Sequence, residues 1–340
     1  MISSSNGDTR IRLHLPPRLK RDDGGTRQIG IELELIGLEL DQLSAILAEH
    51  LHGNINKRSK YEHIVSGDKR GEWKVELDFA YLKEKGRKSK KDDGIMSEID
   101  TAAEELLRAG AKQVVPYEIV SPPLPMDELE DVEVLIDKLQ EAGAQGTKAG
   151  VANAFGMQFN PELPDTSAAT IVRYLKAFLC LFDWLKDQIG VDWTRRLTVY
   201  TDPFPRNYVR TVIDPNYQPS LAELIDDYLT ANPTRNRALD MLPLFKYLDE
   251  RRVVAVVDDP RVKSRPTLHY RLPNCEVDDP SWGLHCAWND WLQVEYLAAE
   301  PARLTQVCTK YQRYLGNPLA GFFKPWKNRV IEWLKSTSDR

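Results

Sequence analysis

The stretch GIELEL (residues 30–35) decides the fold, because its side chains alternate strictly between apolar and acidic. Successive residues of a β-strand point to opposite faces of the sheet, so the three aliphatic residues share one face while Glu32 and Glu34 share the other. One apolar and one polar face are typical of an antiparallel sheet that packs its apolar face against other elements. The stretch therefore predicts a strand whose acidic face is left open.

Five further stretches alternate in the same way, which predicts a mainly antiparallel sheet of about six strands. These stretches are 73–79, 117–120, 155–160, 196–200 and 268–272. A single strand of this kind is most simply interpreted as half-exposed, with a polar face in water. Taken together, the polar faces of these strands carry mostly acidic and amide side chains, where a solvated face normally carries Thr and mixed charges.

A sheet face lined with oxygen atoms predicts a cation site. Carboxylates two residues apart on one strand lie only about 7 Å from each other, so their repulsion needs a nearby positive charge. Mg²⁺ takes such carboxylates and substrate phosphates as ligands, and with an arginine nearby these are the components of phosphoryl transfer. The sequence has no P-loop, no Rossmann fingerprint, no kinase loop and no H-E-x-x-H zinc motif.

Helical spacing of apolar residues fills most of the remaining chain and predicts the α+β class, with helices packed on the outer face of the sheet. The predicted helices span about 41–52, 97–109, 126–142, 167–189, 220–231, 236–249 and most of 280–336. One more strand is expected at 253–257, and loops at 54–72, 83–94 and 201–219. We expect a flexible N-terminal arm (1–26) and a single catalytic domain (27–336).

Composition limits the classes of partner. The 340 residues have a formal net charge of −5, which argues against a dedicated nucleic-acid binder. No stretch approaches the roughly 18 apolar residues of a membrane span. The N-terminus carries no apolar signal segment, so we expect a cytoplasmic protein with four reduced cysteines.

The order of the motifs resembles the amidoligase family, carboxylate–amine ligases related to glutamate–cysteine ligase and glutamine synthetase. The first three motifs are GIELEL (30–35), WKVELD (73–78) and EIVSPPLP (118–125). Three more follow in the same order: GMQFNPE (156–162), RYLKAFLCLFDWL (173–185) and PTLHYRLPN (266–274). The resemblance covers about residues 28–300 and implies a glutamine synthetase-like catalytic fold, in which the curved sheet forms a half-barrel or funnel.

The resemblance also implies the cofactors, ATP with Mg²⁺ or Mn²⁺, and the metal ligands. By motif position, these ligands are Glu32, Glu34, Glu118 and Gln158. Relatives often have two histidines in the strand that reads GMQFN here, and often a Glu where this chain has His269. A histidine in place of a carboxylate changes the charge of the site, so one metal position or the amine specificity departs from the family pattern.

The remaining site residues follow from the same motifs. The resemblance implies catalytic roles for Arg271, Glu76 and Asp78. It implies that Arg271 and Asn160 bind ATP. Substrate binding is expected at Arg206, Arg210 and His269.

Four functions remain open at this stage. The leading hypothesis is an ATP-dependent ligase that joins a small-molecule or peptide carboxylate to an amine through an acyl phosphate. The alternatives are a phosphotransferase of the same fold acting on an amine or guanidino group, a non-catalytic nucleotide-binding or interaction module, and a metal-dependent hydrolase. The sequence identifies neither the acid nor the amine, and it leaves the oligomeric state open.

Overall fold

The computed structural model describes residues 13–78, 115–147, 155–189, 202–317 and 325–338 as a large antiparallel sheet with helices. The described strands are β1 (Gln28–Leu35), β2 (Asn54–Ser59), β3 (Glu62–Ser66), β4 (Trp73–Leu77), β5 (Tyr117–Val120), β6 (Leu124–Pro125), β7 (Met157–Pro161), β8 (Leu239–Asp240) and β9 (His269–Tyr270). The described helices are α1 (Leu40–His50), α2 (Glu130–Glu141), α3 (Ala168–Gln188), α4 (Arg206–Val212), α5 (Leu221–Ala231), α6 (Leu242–Leu248), α7 (Glu250–Val254), α8 (Leu284–Ala299), α9 (Pro301–Gly316) and α10 (Trp326–Ser338).

The sheet runs in the order β2-β3-β4-β5-β1-β7-β9-β8, and β6 pairs with the start of β1. All of these strand pairs are antiparallel, which confirms the predicted α+β class and strand direction. Among the described strands the sheet does not close into a barrel, since β2 and β8 form its two edges. The half-barrel curvature and the likeness to glutamine synthetase stay predictions.

Strand β1 lies in the middle of the sheet, with β5 on one side and β7 on the other. Its aliphatic side chains are buried, with Leu33 opposite both Ile119 and Met157. The alternation in the sequence therefore predicted correctly which face of this strand is covered.

Helices α3 and α8 cover the apolar face. Ser167 begins α3 by accepting a hydrogen bond from the Thr170 backbone N–H at 3.2 Å, as an N-cap residue does. The ring of Tyr270 on β9 lies 5.9 Å from Phe178 on α3 and 4.9 Å from Trp291 on α8. Helices α9 and α10 pack on the far side of this layer, against α3.

A buried ion pair fixes the start of β1 to the helices. Arg27 donates to both oxygens of Glu295 at 2.8 and 2.9 Å, and neither side chain is exposed. The Tyr174 hydroxyl donates to Glu295 at 2.5 Å, and the Trp291 indole N–H donates at 3.2 Å. The same guanidinium also donates to the backbone oxygen of Glu162, so every part of this buried cluster has a partner.

Two predicted elements are wrong, because their polar caps outweigh their apolar pattern. Of the expected strand at 253–257, the first two residues instead end α7, and a turn follows them. Asp249 caps the first turn of α7 by accepting from the Arg252 N–H at 3.2 Å. The expected helix at 236–249 is divided into β8 and α6. Asp240 accepts from the Leu242 N–H at 2.9 Å, and Pro243 in the first turn sets the start of α6 at that point.

Two predicted loops contain regular structure. The segment 54–72 forms the β2–β3 hairpin, which the alternation rule missed because every side chain of β2 is exposed. The segment 201–219 contains α4, a short helix that follows Pro205. The loop predicted at 83–94, the helix at 97–109 and the strand at 196–200 lie outside the described residues.

The described part of the predicted N-terminal arm, residues 13–26, contacts α8. The backbone oxygen of His14 accepts from the Trp288 indole N–H at 2.8 Å, and that of Leu15 accepts from the Tyr296 hydroxyl at 3.0 Å. The boundary between arm and domain stays a prediction. None of the described helices combines the length and apolar character that crossing a membrane requires.

Candidate active site

Three glutamates form a row across the open face of the sheet. The β-sheet register places Glu118 of β5 directly opposite Glu34 of β1 and, on its other side, opposite Glu76 of β4. Neighbouring strands lie about 4.8 Å apart, and like charges directly opposite each other destabilise a sheet. The fold therefore brings these predicted site residues together at a cost in electrostatic energy.

Glu118 shows this cost most clearly. Burial raises the pKa of its carboxyl group well above the ordinary value, and the negative charges of Glu32, Asp78, Glu34 and Glu76 raise it further. Four acidic groups thus act on one buried carboxyl group. A bound cation would relieve this repulsion.

The Glu34 carboxylate is held by hydrogen-bond donors on β7 and on the residue that precedes β7. One of its oxygens accepts from the Gly156 backbone N–H at 2.7 Å, and the other accepts from the Gln158 side-chain amide at 3.1 Å. The amide nitrogen of Gln158 is used in this bond, which leaves its oxygen as the atom suited to a metal.

Glu32 begins a chain of polar contacts that ends at His269. One oxygen of Glu32 accepts from Asn160 Nδ2 at 2.9 Å and from Arg265 Nη1 at 3.2 Å. The Asn160 oxygen contacts His269 Nδ1. The side-chain nitrogen of Asn160 donates to Glu32, so its oxygen is the atom that faces His269. An amide oxygen can only accept, and His269 must therefore donate from Nδ1. The lone pair of His269 Nε2 is then left to accept a hydrogen bond or bind a cation.

Glu32 and His269, the two ends of this series of polar contacts, have shifted pKa values. Burial works against the charge of Glu32, but His269, Arg265 and the Asn160 amide together hold the pKa of its carboxyl group below the ordinary value. Burial lowers the pKa of His269 to about 3; the negative charge of Glu32 opposes this shift, whereas the positive charges of Arg271, Arg235 and Arg265 add to it. At neutral pH the pair is thus a carboxylate and an uncharged imidazole.

Arginines gather beside this carboxylate face. Arg271 Nη1 donates to the backbone oxygen of Arg235 at 2.9 Å. Burial lowers the pKa of the Arg235 guanidinium, and the positive charges of Arg271 and Arg261 lower it further. Among the described residues neither Arg235 nor Arg271 forms an ion pair with a carboxylate, so these guanidinium groups are suited to an anion.

The carboxyl group of Asp240 lies in the same part of the sheet, on the residue opposite His269. Burial raises its pKa to about 7, against the effect of the Leu242 N–H and of Arg271 and Arg235. At the other side of the face, Lys74 forms an ion pair with Glu76 and offsets part of the acidic charge.

The structure therefore brings most of the predicted site residues together. These are Glu32, Glu34, Glu76, Asp78, Glu118, Gln158, Asn160, His269 and Arg271. It does not place Arg206 and Arg210 with them. Both side chains are exposed on α4, which packs against α3, and Arg206 donates to the backbone oxygen of Leu315 at 3.0 Å. No ion pair within the described residues joins either arginine to the carboxylates.

Sequence reasoning missed three residues of the site. Arg265 directly precedes the motif PTLHYRLPN, so extending that motif by one residue would have found it. Asp240 lies in the stretch predicted as the helix 236–249, and Arg235 directly precedes that stretch; nothing in their spacing indicates a site.

The donor atoms of this face fit a hard cation in type, since Mg²⁺ prefers carboxylate and amide oxygens. Within the described ranges, no three Asp, Glu, His or Cys side chains already lie close enough to hold a metal ion. The carboxylates instead use protein donors, as Glu34 does with Gly156 and Gln158. Binding of a metal would replace some of these contacts.

An open antiparallel sheet with a carboxylate row beside arginines that lack carboxylate partners in the described part of the chain is consistent with an enzyme that handles anionic substrates. Residues 25–293 match a family model described as "Putative amidoligase enzyme". The chain therefore belongs to the amidoligase family, as the motifs predicted, and this family is one of ligase-type enzymes. Neither the curated proteins nor the solved structures gave a match.

Proposed function

We propose that the protein is an ATP-dependent carboxylate–amine ligase that forms an amide bond through an acyl-phosphate intermediate. The observation that carries this proposal is the adjacency of two unlike groups on one face. The row Glu34–Glu118–Glu76 gathers negative charge, whereas Arg235 and Arg271 gather positive charge and pair with no carboxylate of the described residues. A nucleotide phosphate with its divalent cation would offset both charges at once.

The reaction explains why a site needs both groups. A carboxylate is a poor electrophile at neutral pH, and transfer of the γ-phosphoryl group of ATP turns one of its oxygens into a leaving group. An amine then attacks the acyl carbon, giving an amide and phosphate. Catalysis of these steps depends mainly on positioning the reactants and neutralising charge.

The acidic residues would hold the metal. We assign Glu34, Glu118 and Gln158 to Mg²⁺ or Mn²⁺, with Glu32 completing the set and Glu76 and Asp78 lining the same face. When bound, the metal supplies positive charge to the phosphate oxygens of ATP.

The polar residues at the other end of the face would bind the reactants. Arg271, with Arg235 and Arg265, would bind oxygens of the transferred phosphoryl group or of the substrate carboxylate. Asn160 keeps Glu32 and His269 aligned through its two hydrogen bonds. The lone pair on His269 Nε2 is suited to accept a hydrogen bond from the amine, and its low pKa makes it a binding group rather than a strong base.

The test uses purified protein, Mg²⁺, ATP and pools of amino acids, peptides and amines. Phosphate release should require both an acid and an amine. When the acid carries ¹⁸O in its carboxylate, one labelled oxygen should appear in the released phosphate, because the acyl phosphate breaks between carbon and that oxygen.

Variants connect this activity to the carboxylate face. Glu34→Gln and Glu118→Gln should each reduce the rate by at least about 100-fold, the scale on which one preorganised electrostatic group acts. Glu141→Gln, which removes the same charge at the end of α2, should leave the rate unchanged.

Product analysis distinguishes the proposed ligase from the alternative functions. A phosphorylated amine indicates a phosphotransferase, and nucleotide or substrate hydrolysis without an amine indicates a hydrolase. ATP binding without turnover in any pool, with Glu34→Gln tolerated, indicates a binding module.

A further inference from the structure

A cavity lies in the helical layer, between α3, α8, α9 and α10. Its volume is about 650 Å³, within the range of small-molecule pockets. Aromatic side chains from three helices line it, namely Trp184 of α3, Tyr296 of α8 and Trp333 of α10. Leu297 adds an aliphatic surface.

This cavity is separate from the carboxylate face. Helix α8 directs Trp288 and Trp291 toward the sheet, where they contact Phe159 and Tyr270. Asp290 and the other α8 residues of the cavity lie on the opposite side of the helix, about half a turn away. The helix and the sheet therefore stand between the two sites.

Asp290 is the carboxylate of the cavity lining whose negative charge has no partner among the described residues. Among the described residues, no hydrogen bond or ion pair reaches its side chain, and burial alone raises its pKa to about 7. The other charged lining residues from the neighbouring helix, Glu300 and Arg303, pair with each other at 3.7 Å. His14 approaches from the N-terminal segment, but its backbone N–H donates to Asn289 rather than to Asp290.

We propose that this cavity binds an organic ammonium ion with an apolar body, whose charged nitrogen pairs with Asp290. An ammonium group forms strong, charge-assisted hydrogen bonds with a carboxylate. Aromatic faces attract the same cation, while the apolar walls exclude water from the carbon chain. A neutral ligand would leave Asp290 unpaired in the cavity, and an anionic ligand would be repelled. This inference does not depend on the ligase activity.

Calorimetry with a matched pair of probes tests the proposal. The probes are 4-phenylbutylammonium and its uncharged analogue 4-phenylbutanol, titrated into the full chain at pH 8, above the pKa of Asp290. We expect the ammonium ion to bind at least about 10-fold more tightly than the alcohol, the factor that about 1.4 kcal/mol of ion pairing produces. Asp290→Asn should abolish this preference, and it keeps the shape of the side chain.

Asp183→Asn is the matched control, because it removes the same charge from the neighbouring surface of α3, where Asp183 pairs with Lys186. It should bind the ammonium ion as the wild type does. Equal affinity of the wild type for ammonium ion and alcohol overturns the proposal, as does an absence of binding by both. A preference that survives in Asp290→Asn also overturns it. None of these results bears on ATP turnover, which is measured separately.

Discussion

Two clusters of charged residues lie on opposite sides of the sheet, and they are built in opposite ways. On the helical side, Arg27 and Glu295 form a two-point ion pair to which Tyr174 and Trp291 add hydrogen bonds. On the open side, Glu118 lies among four other acidic residues, and burial together with their charges raises its pKa.

The difference separates a structural role from a binding role. The Arg27 cluster satisfies its charges within the chain, so it has nothing to offer a ligand. The open face concentrates carboxylates at one end, and at the other end Arg235 and Arg271, which pair with no carboxylate among the described residues; this arrangement is suited to a cation and an anion. Electrostatic repulsion retained in a folded protein is typical of a functional site.

Breaking the completed cluster should have the largest effect on stability. Glu295→Gln removes the negative charge and leaves Arg27 buried without a counterion. Removing one partner of a buried pair costs about 3–5 kcal/mol, and we expect a loss of this size in the free energy of unfolding. Chemical denaturation of the variant and the wild type at pH 7 measures it. A loss below about 1 kcal/mol would mean that the two clusters do not differ as described.

The open side should instead show a dependence on pH. Asp240 has a pKa of about 7 when folded, against an ordinary value of 3.8. The folded form therefore binds a proton more tightly than the unfolded form. Its stabilising contribution is complete below about pH 4 and disappears as the pH rises to 7, which amounts to at most about 4 kcal/mol.

Asp240→Asn isolates this contribution, since it keeps the oxygen that accepts from the Leu242 N–H. Denaturation curves at several pH values between 4.5 and 7.5 should show the wild type losing stability relative to the variant as the pH rises. Parallel curves for the two proteins would show that Asp240 does not retain its proton.

The sequence predicted the open face better than the arrangement around it. Strict alternation located Glu32, Glu34, Glu76 and Glu118 on one face. Successive side chains of a strand point to opposite faces, so the residues between buried apolar ones must lie on the other face. Strand order was beyond this reasoning, since it depends on contacts between distant segments. The direct opposition of Glu34 and Glu118 therefore became visible only in the β-sheet register.

Residues outside regular strands were harder to predict. Arg235 reaches the site from the stretch before β8, and neither periodicity nor a motif marks it. The Arg27–Glu295 pair joins residues 268 positions apart, so no local pattern reveals it. Helix-capping side chains also determined local structure where the apolar pattern predicted something else. Asp249 caps α7, so part of the expected strand at 253–257 is helical.

Addition of a cation should affect the open side alone. If Mg²⁺ or Mn²⁺ binds at the carboxylate row, a concentration of about 100 times the dissociation constant stabilises the wild type by about 2.7 kcal/mol. Glu118→Gln should be at least as stable as the wild type without metal, because it removes a repelled charge, and should gain much less from the metal. Thermal unfolding with and without MgCl₂ or MnCl₂ measures both effects. Equal gains in the wild type and in Glu118→Gln would place the metal elsewhere.

The smallest effect is expected where the distance between charges is the same but burial is not. Lys186 and Asp183 approach to 2.8 Å, as Arg27 and Glu295 do, but their side chains are 30% and 38% exposed. Water already stabilises both charges, and a pair three residues apart on a helix contributes only about 0.3–0.5 kcal/mol. Asp183→Asn should therefore change the free energy of unfolding by less than about 1 kcal/mol, with the difference shrinking further in 1 M NaCl as salt screens the pair.

If Asp183→Asn costs as much as Glu295→Gln in parallel denaturation experiments, then distance rather than burial governs these ion pairs. The contrast between the completed cluster and the open face would then lose its physical basis.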